Sequence, residues 1–237
     1  MKAIILNSGL GKRMGEYTTH LPKCLVKLNH TETILSRQLR LLEKTGINRV
    51  IMTTGPYHLI QKEYIDRLAL KLDITLVNNH LYATTNYIYS IYLARDYLED
   101  DILLLHGDMV FEEKVLQLLL NSIVSSMTVS TLFPLPEKDF KAVIRDGKVE
   151  AVGIEFFESA VAAQPMYLLK KKDWIVWLEK ICDYCQSGQT ACYAENAFNK
   201  VSHKMKLYPL DMKNLLCQEV DTAADLLEVQ SRLKEIG

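Results

Sequence analysis

Four short runs in the first half of the chain are almost continuously apolar: "KAIILN" at 2–7, "RVIMTT" at 49–54, "ITLVNN" at 74–79 and "DILLLHGDM" at 101–109. Runs of this length without polar alternation predict strands covered on both faces. The intervening segments change period. In "TETILSRQLRLLEKTG" the apolar residues Ile34, Leu35, Leu39, Leu41 and Leu42 mark one helical face, and Gly46 supplies a C-terminal stop. "HLIQKEYIDRLAL" and "YIYSIYLARDYL" follow the same rule. Strand and helix in alternation predict a doubly wound, mainly parallel α/β sheet, with ligands beyond the carboxyl ends of its strands.

The middle of the chain breaks this rhythm. "FKAVIRDGKVEAVGIE" places two β-rich segments around Asp146-Gly147, a hairpin signal, so a small antiparallel insertion is expected after the parallel half. "QPMYLL" reads as a further strand, and "KKDWIVWLEKICDYCQ", "YAENAFNKVSHKM" and "TAADLLEVQSRLKEI" read as helices. Trp174, Trp177 and Ile181 share a face of the first of these and are expected in the core. Without a repeat, a low-complexity tract or a linker, residues 1–237 are taken as one domain.

Composition narrows the partners. A formal net charge of -1 over 237 residues offers no electrostatic case for nucleic acid or a membrane surface, so phosphate binding has to be local. The apolar run in "MKAIILNSG" is short for a signal peptide and no stretch is long enough to span a bilayer, which makes a cytoplasmic protein the expectation. Five cysteines fit reduced, buried thiols better than a disulfide framework. Cys182 and Cys185 form one C-x-x-C, with Cys192 and His203 downstream; zinc is conceivable there, but the pair falls on a predicted helix. Oligomeric state does not follow from the pattern.

The first strand runs into Gly9, Gly11 and Gly15. Their spacing is one residue too long for G-x-G-x-x-G, and the P-loop pattern is absent. Gly9 and Gly11 would let backbone N–H groups approach an anion, and Lys12 and Arg13 follow at once. Backbone donors and two cations are what a triphosphate needs; a glycine-rich turn with solvated basic residues fits the same letters.

"GLGKRM" followed by "PKCLVKL" resembles the signature of nucleotidyltransferases with the Rossmann-like nucleotide-diphospho-sugar transferase fold. Asn7 and Ser8 stand where that signature usually has two alanines. Further on, "NNHLYATTNYIYSIYLARDYL", "LLLHGDM", "YAENAFN" and "CQEVDTAADL" resemble, in order, the short bacterial CTP:phosphocholine cytidylyltransferases; the agreement weakens through the hairpin. The resemblance implies transfer of CMP from CTP to a small phosphorylated acceptor with release of pyrophosphate. It implies catalytic roles for Lys23, at the α-phosphate, and Arg13, at the β- and γ-phosphates. Nucleotide contacts would come from Leu6, Asn7, Ser8, Gly9, Gly11 and Lys12, with Thr84, Thr85 and Asn86 along the pyrimidine and ribose. The last three are also ordinary turn and cap residues.

Asp108 and Asp221, each after a predicted strand, match the aspartates that hold Mg2+ in the family, and magnesium suits one or two carboxylates plus phosphate oxygens. Asp221 also fits a helix N-cap. For the acceptor, Tyr193, Glu195 and Tyr87 are the candidates, since aromatic faces and a carboxylate suit a quaternary or primary amine. Ala194 stands where the phosphocholine relatives have tryptophan, which leaves other amine-bearing phosphates, phosphonates and sugar 1-phosphates open. His106 is read as structural. A noncatalytic nucleotide-binding module on the same fold is the alternative of another class; a Rossmann oxidoreductase is disfavoured by the glycine spacing.

Overall fold

The protein is described by a computed structural model covering residues 1–236. The expected strands form as β1 (Lys2–Asn7), β2 (Arg49–Thr54), β3 (Asp73–Asn78) and β4 (Ile102–His106), with α1 (Ile34–Lys44), α2 (His58–Asp66) and α3 (Tyr87–Ala94) between them. Then come β5 (Met109–Phe111), α4 (Glu113–Leu120), β6 (Ser126–Ser130), β7 (Lys141–Arg145), β8 (Lys148–Gly153), β9 (Ala160–Leu169), α5 (Lys171–Gln186), α6 (Ala194–Val201), β10 (Tyr208–Asp211), β11 (Cys217–Glu219) and α7 (Ala223–Ile236).

The main path across the sheet runs β10-β6-β9-β4-β1-β2-β3. The β4, β1, β2 and β3 strands are parallel neighbours, as are β10 and β6, whereas β9 runs antiparallel to both β4 and β6. Alternate residues of β1 and β4 face opposite sides. Ala3, Ile5, Leu103 and Leu105 join one core with α1 and α4, and Ile4, Leu6, Ile102 and Leu104 join another with α3, α5 and α6. Burial on both faces is why these strands read as unbroken apolar runs. Trp174 and Trp177 lie in the second core, their indole N–H groups donating to Leu98 O (3.0 Å) and Ala194 O (2.9 Å).

The hairpin turn at Asp146 and Gly147 takes φ of 51° and 70°, the left-handed pair of a two-residue β turn. The antiparallel part is less peripheral than its label suggests. The β9 strand is longer than "QPMYLL" and is spliced into the middle of the sheet, between β4 and β6, with β7 also pairing to its first residues.

"DILLLHGDM" is not one strand. The chain turns at Gly107 and Asp108, and β5 leaves the main sheet to pair antiparallel with β11. Gly107 is required at this turn, because a Cβ there would fall 1.7 Å from Asn7 Oδ1 and 2.6 Å from Leu6 O. The β5–β11 pairing and a bond from Val220 N–H to Asp108 O (3.0 Å) bring two aspartates 113 residues apart to one edge.

Candidate active site

Two cavities open beyond the carboxyl ends of β1 and β4, of about 360 and 260 Å³. The larger is built chiefly on the glycine loop: Asn7, Gly9, Gly11, Lys12, Arg13 and Lys23 line it. Gly11 sits at φ 65°, and a Cβ there would lie 2.9 Å from Lys23 Cβ, so the loop packs directly against the lysine stem. A Cβ on Gly9 would meet nothing within 4 Å; its backbone faces open space. The second cavity has an aromatic wall of Tyr82, Tyr87, Phe140 and Tyr193, and carboxylates from Asp139 and Glu219. The two cavities share Leu6, Gly9, Arg13, Asp108 and Asp221.

At that shared wall, Lys23 Nζ donates to Asp108 Oδ2 at 2.6 Å and also to Asp221 Oδ1. Arg13 reaches Asp221 Oδ2 at 2.8 Å and Asp139 Oδ1 at 3.7 Å. Burial alone would discharge Lys23, but Asp108 and Asp221 outweigh it and hold its pKa above the usual lysine value. Burial likewise opposes the charge on Asp108, yet Lys23, and next His106, keep its pKa below the ordinary carboxylate value. Lys23 and Asp108 therefore stand as an ion pair near neutral pH.

Asp221 does not cap α7. Thr222 Oγ1 accepts from Asp225 N–H (3.2 Å) and Asp225 Oδ2 accepts from Thr222 N–H (2.7 Å), a reciprocal box that leaves the Asp221 carboxylate to the two cations.

The carboxylates fall into two groups that could hold a cation: Asp108 with His106 and Glu219, and Asp221 with Asp139 and Glu219. Glu219 belongs to both. Oxygen ligands of this kind suit a hard divalent ion, and Asp108 Oδ1 is buried without a hydrogen-bond partner, an acceptor left for one. His106 is held by Glu219 (Nδ1 to Oε1, 3.1 Å), and its ring lies edge-on to Tyr87 with centroids 4.9 Å apart. Burial and the nearby charge of Asp108 push the Glu219 carboxyl up to about 7, against the pull of His106.

Most of the residues singled out in the sequence converge here. Ser8 lines the second cavity with Thr85 and Asn86. Its hydroxyl is bonded to Ser90 Oγ at 2.7 Å, and Asn86 caps α3. Thr84 lines neither cavity and donates to Leu81 O at 3.3 Å. Glu195 lies behind the aromatic wall, 1% exposed, where the hydroxyls of Tyr87 and Tyr167 (2.9 Å) both donate to it. Asp139, Phe140, Glu219 and Asn79 were not anticipated. Glu219, two residues before Asp221 on a short strand, points the same way, an alternation that could have revealed it. The cysteine expectation holds for Cys24, Cys185 and Cys217, which are buried; Cys182 and Cys192 are partly exposed, and all five are free. Among the described residues, no helix is long and apolar enough to cross a membrane.

Residues 3–196 match the MobA-like NTP transferase domain. The chain belongs to this family. It is a nucleotidyltransferase. Within the family it is 26% identical to a choline-phosphate cytidylyltransferase of Streptococcus pneumoniae, over 99% of both chains. It is also 28% identical over 129 residues to a CTP:phosphoglutamine cytidylyltransferase of Campylobacter jejuni, spanning 52% of this chain and 49% of that one. The solved CTP:phosphocholine cytidylyltransferase of Streptococcus pneumoniae superposes with a TM-score of 0.79 over 98% of both chains at 21% identity. That is a likeness of fold.

Proposed function

We propose that the chain transfers CMP from CTP to a small phosphorylated acceptor bearing an amine, in a magnesium-dependent reaction that releases pyrophosphate. Two cavities of opposite character meeting at Asp108 and Asp221, the two carboxylates that hold Lys23, carry the assignment. The basic, glycine-lined cavity suits a triphosphate. The aromatic and acidic one suits an ammonium group. The relatives named as CTP-dependent support the choice of nucleotide.

In the reaction, an acceptor phosphate oxygen forms a bond to the α-phosphorus as the bond from that phosphorus to the β-bridging oxygen breaks, and the electron pair leaves with pyrophosphate. Lys23, fixed by two carboxylates, would give up part of that pairing to the non-bridging α-phosphate oxygens, offsetting the repulsion between two polyanions. Arg13, more exposed, would reach the β- and γ-phosphates. A divalent ion on Asp108 and Asp221 would supply further positive charge to the triphosphate. Leu6, Asn7, Gly9, Gly11 and Lys12 would lie along the nucleotide in the first cavity, and Ser8, Thr85 and Asn86, which line the second, would meet the base where it crosses into that cavity beside the acceptor. Tyr193 and Tyr87 would face the amine, and Glu195 would act on it through the Tyr87 hydroxyl.

A pyrophosphate-release screen tests this. CTP, UTP, GTP and ATP are each paired with phosphocholine, phosphoethanolamine, an amino-acid amide phosphate and glucose 1-phosphate, with and without magnesium. CTP with an amine-bearing phosphate should be fastest, and only with the metal. A preference for glucose 1-phosphate would replace the amine acceptor by a sugar.

A further inference from the structure

The segment between β6 and β7 lends Asp139 and Phe140 to the second cavity, yet residues 131–140 contain no helix or strand. Its ends are tied, Thr131 N–H to Asp211 Oδ1 (3.2 Å) and Phe140 O to Ala163 N–H (3.0 Å), with the Phe140 ring buried in the core, but residues 134–139 between them need another fastening if Asp139 is to stand in a fixed place. Lys141, the first residue of β7, provides one. It is fully buried, at 0% exposure. Its ammonium donates to Pro136 O at 2.6 Å and Glu137 O at 3.4 Å, and lies 4.0 Å from the ring centroid of Phe157. Phe157 belongs to the turn between β8 and β9 and is 53% exposed, covering the ammonium from solvent. The backbone of Lys141 is itself pinned on both sides, paired with Gly153 of β8 and Ala162 of β9.

A buried ammonium is costly without partners, and here its partners are two loop carbonyls and a ring face instead of a carboxylate. An apolar side chain of similar length would fill the same space without that cost, but it could not hold the loop carbonyls. We infer that Lys141 is a positioning residue for the acceptor: its ammonium, roofed by Phe157, ties the loop at Pro136–Glu137 so that Asp139 stands ready in the second cavity beside the core-packed Phe140. Phe140 in turn sets Tyr193, whose ring centroid lies 5.0 Å away at an edge-on angle of 78°. The inference rests on assigning that cavity to the acceptor. It names a residue that lines neither cavity and acts from behind the loop.

Phe157 offers the cleaner test, since it is half-exposed and lines neither cavity. In Phe157→Leu the ring face is lost while an apolar side chain remains; in Phe157→Trp the face is kept. With CTP and the best acceptor from the screen, Phe157→Leu should raise the acceptor KM roughly twofold to fivefold, the range expected for one lost ring face that is itself half-exposed. The CTP KM and the kcat at saturating acceptor should change by less than the acceptor KM, since Asp139 reaches Arg13 only at 3.7 Å. Amide hydrogen exchange over residues 134–140 should quicken in the same variant, and Phe157→Trp should restore both readouts. Lys141→Met should act in the same direction more strongly, and the Phe157 pair decides the matter if that variant does not fold. Unchanged exchange in Phe157→Leu overturns the inference, as does an equal rise in the KM of CTP or failure of tryptophan to rescue. If the screen finds no acceptor, hydrogen exchange still decides whether the clasp exists, separately from the assignment of the cavity.

Discussion

The cavity over the glycine loop and the cavity behind the aromatic wall share five residues but are assembled in different ways. The first takes most of its lining from residues 6–13 and 22–24, one short stretch of chain. The second draws its wall from pieces far apart in sequence: Tyr82 and Tyr87 after β3, Phe140 before β7, Ile154 after β8 and Tyr193 before α6. A site made from one loop is fixed by local rules, such as the positive φ of Gly11 and its contact with Lys23. A site made from four segments is fixed by sheet order. The difference implies that damage to the first should strike the chemical step, and damage to the aromatic wall of the second should fall on acceptor binding.

The largest effect should come from Lys23→Ala. Removing an oriented cation from the reacting phosphorus should lower turnover by a factor on the order of a hundred to a thousand. The structure adds a second expectation. Without the ammonium, Asp108 and Asp221 face one another with Arg13 as the remaining cation on Asp221, an uncompensated burial that destabilises the fold. Magnesium should then raise the Tm of Lys23→Ala by more than it raises that of the wild type, because the ion would take the place of the lost charge. Thermal melts with and without magnesium, set beside steady-state rates, check both. Near-normal turnover in the folded variant would remove Lys23 from the chemical step.

The legible part of the molecule follows the same division. The four parallel strands and α1, α3 and α5 could be read because burial on both faces imposes continuous apolar runs and the helices keep one apolar face. Gly9 to Lys23 could be read because spacing along a single loop survives in the sequence. What could not be read is who neighbours whom. Nothing local in "AVAAQPMYLL" says that β9 enters between β4 and β6, and that insertion carries the hairpin and its loop to the acceptor side. The division of "DILLLHGDM" was hidden for a related reason: Gly107 turns the chain because of Asn7, a residue a hundred positions away. Asp139 sits in an irregular loop that carries no periodic signal, and Phe140 opens a stretch read only as β-rich, so neither was placed at the cavity.

A second comparison separates metal binding from helix capping at neighbouring positions. Asp221→Asn and Asp108→Asn should weaken the magnesium dependence and the turnover together. The loss should be at least the roughly tenfold to hundredfold typical of disturbing a metal's outer shell. Thr222→Ala removes the hydroxyl that caps α7 and should cost about 1 kcal/mol of stability while leaving the magnesium titration where it was. Magnesium titrations of the three variants, with urea unfolding alongside, make the contrast. If Asp221→Asn titrates like the wild type, the ligand role for Asp221 fails.

The smallest effect belongs to the acceptor wall, where Tyr193→Leu should raise the acceptor KM by about twofold to fivefold, the range of one partly exposed cation–π contact. Tyr193 is 36% exposed and leaves the core untouched when cut back, so the CTP KM should not move. Glu195→Gln should raise the acceptor KM as well, through loss of a buried charge behind the tyrosines, but it brings a stability cost that Tyr193→Leu does not. Both Tyr87 and Tyr167 now donate to the Glu195 carboxylate. A glutamine presents an NH2 group to one of them, which must rotate to accept or lose its partner, at a cost of about 1–3 kcal/mol if the bond is not remade. Acceptor and CTP saturation curves for both variants, with melting curves for each, separate the two outcomes. A CTP KM that rises with the acceptor KM in Tyr193→Leu would mean that the aromatic wall does not serve the acceptor alone, and the contrast between loop-built and sheet-built halves would lose its functional meaning.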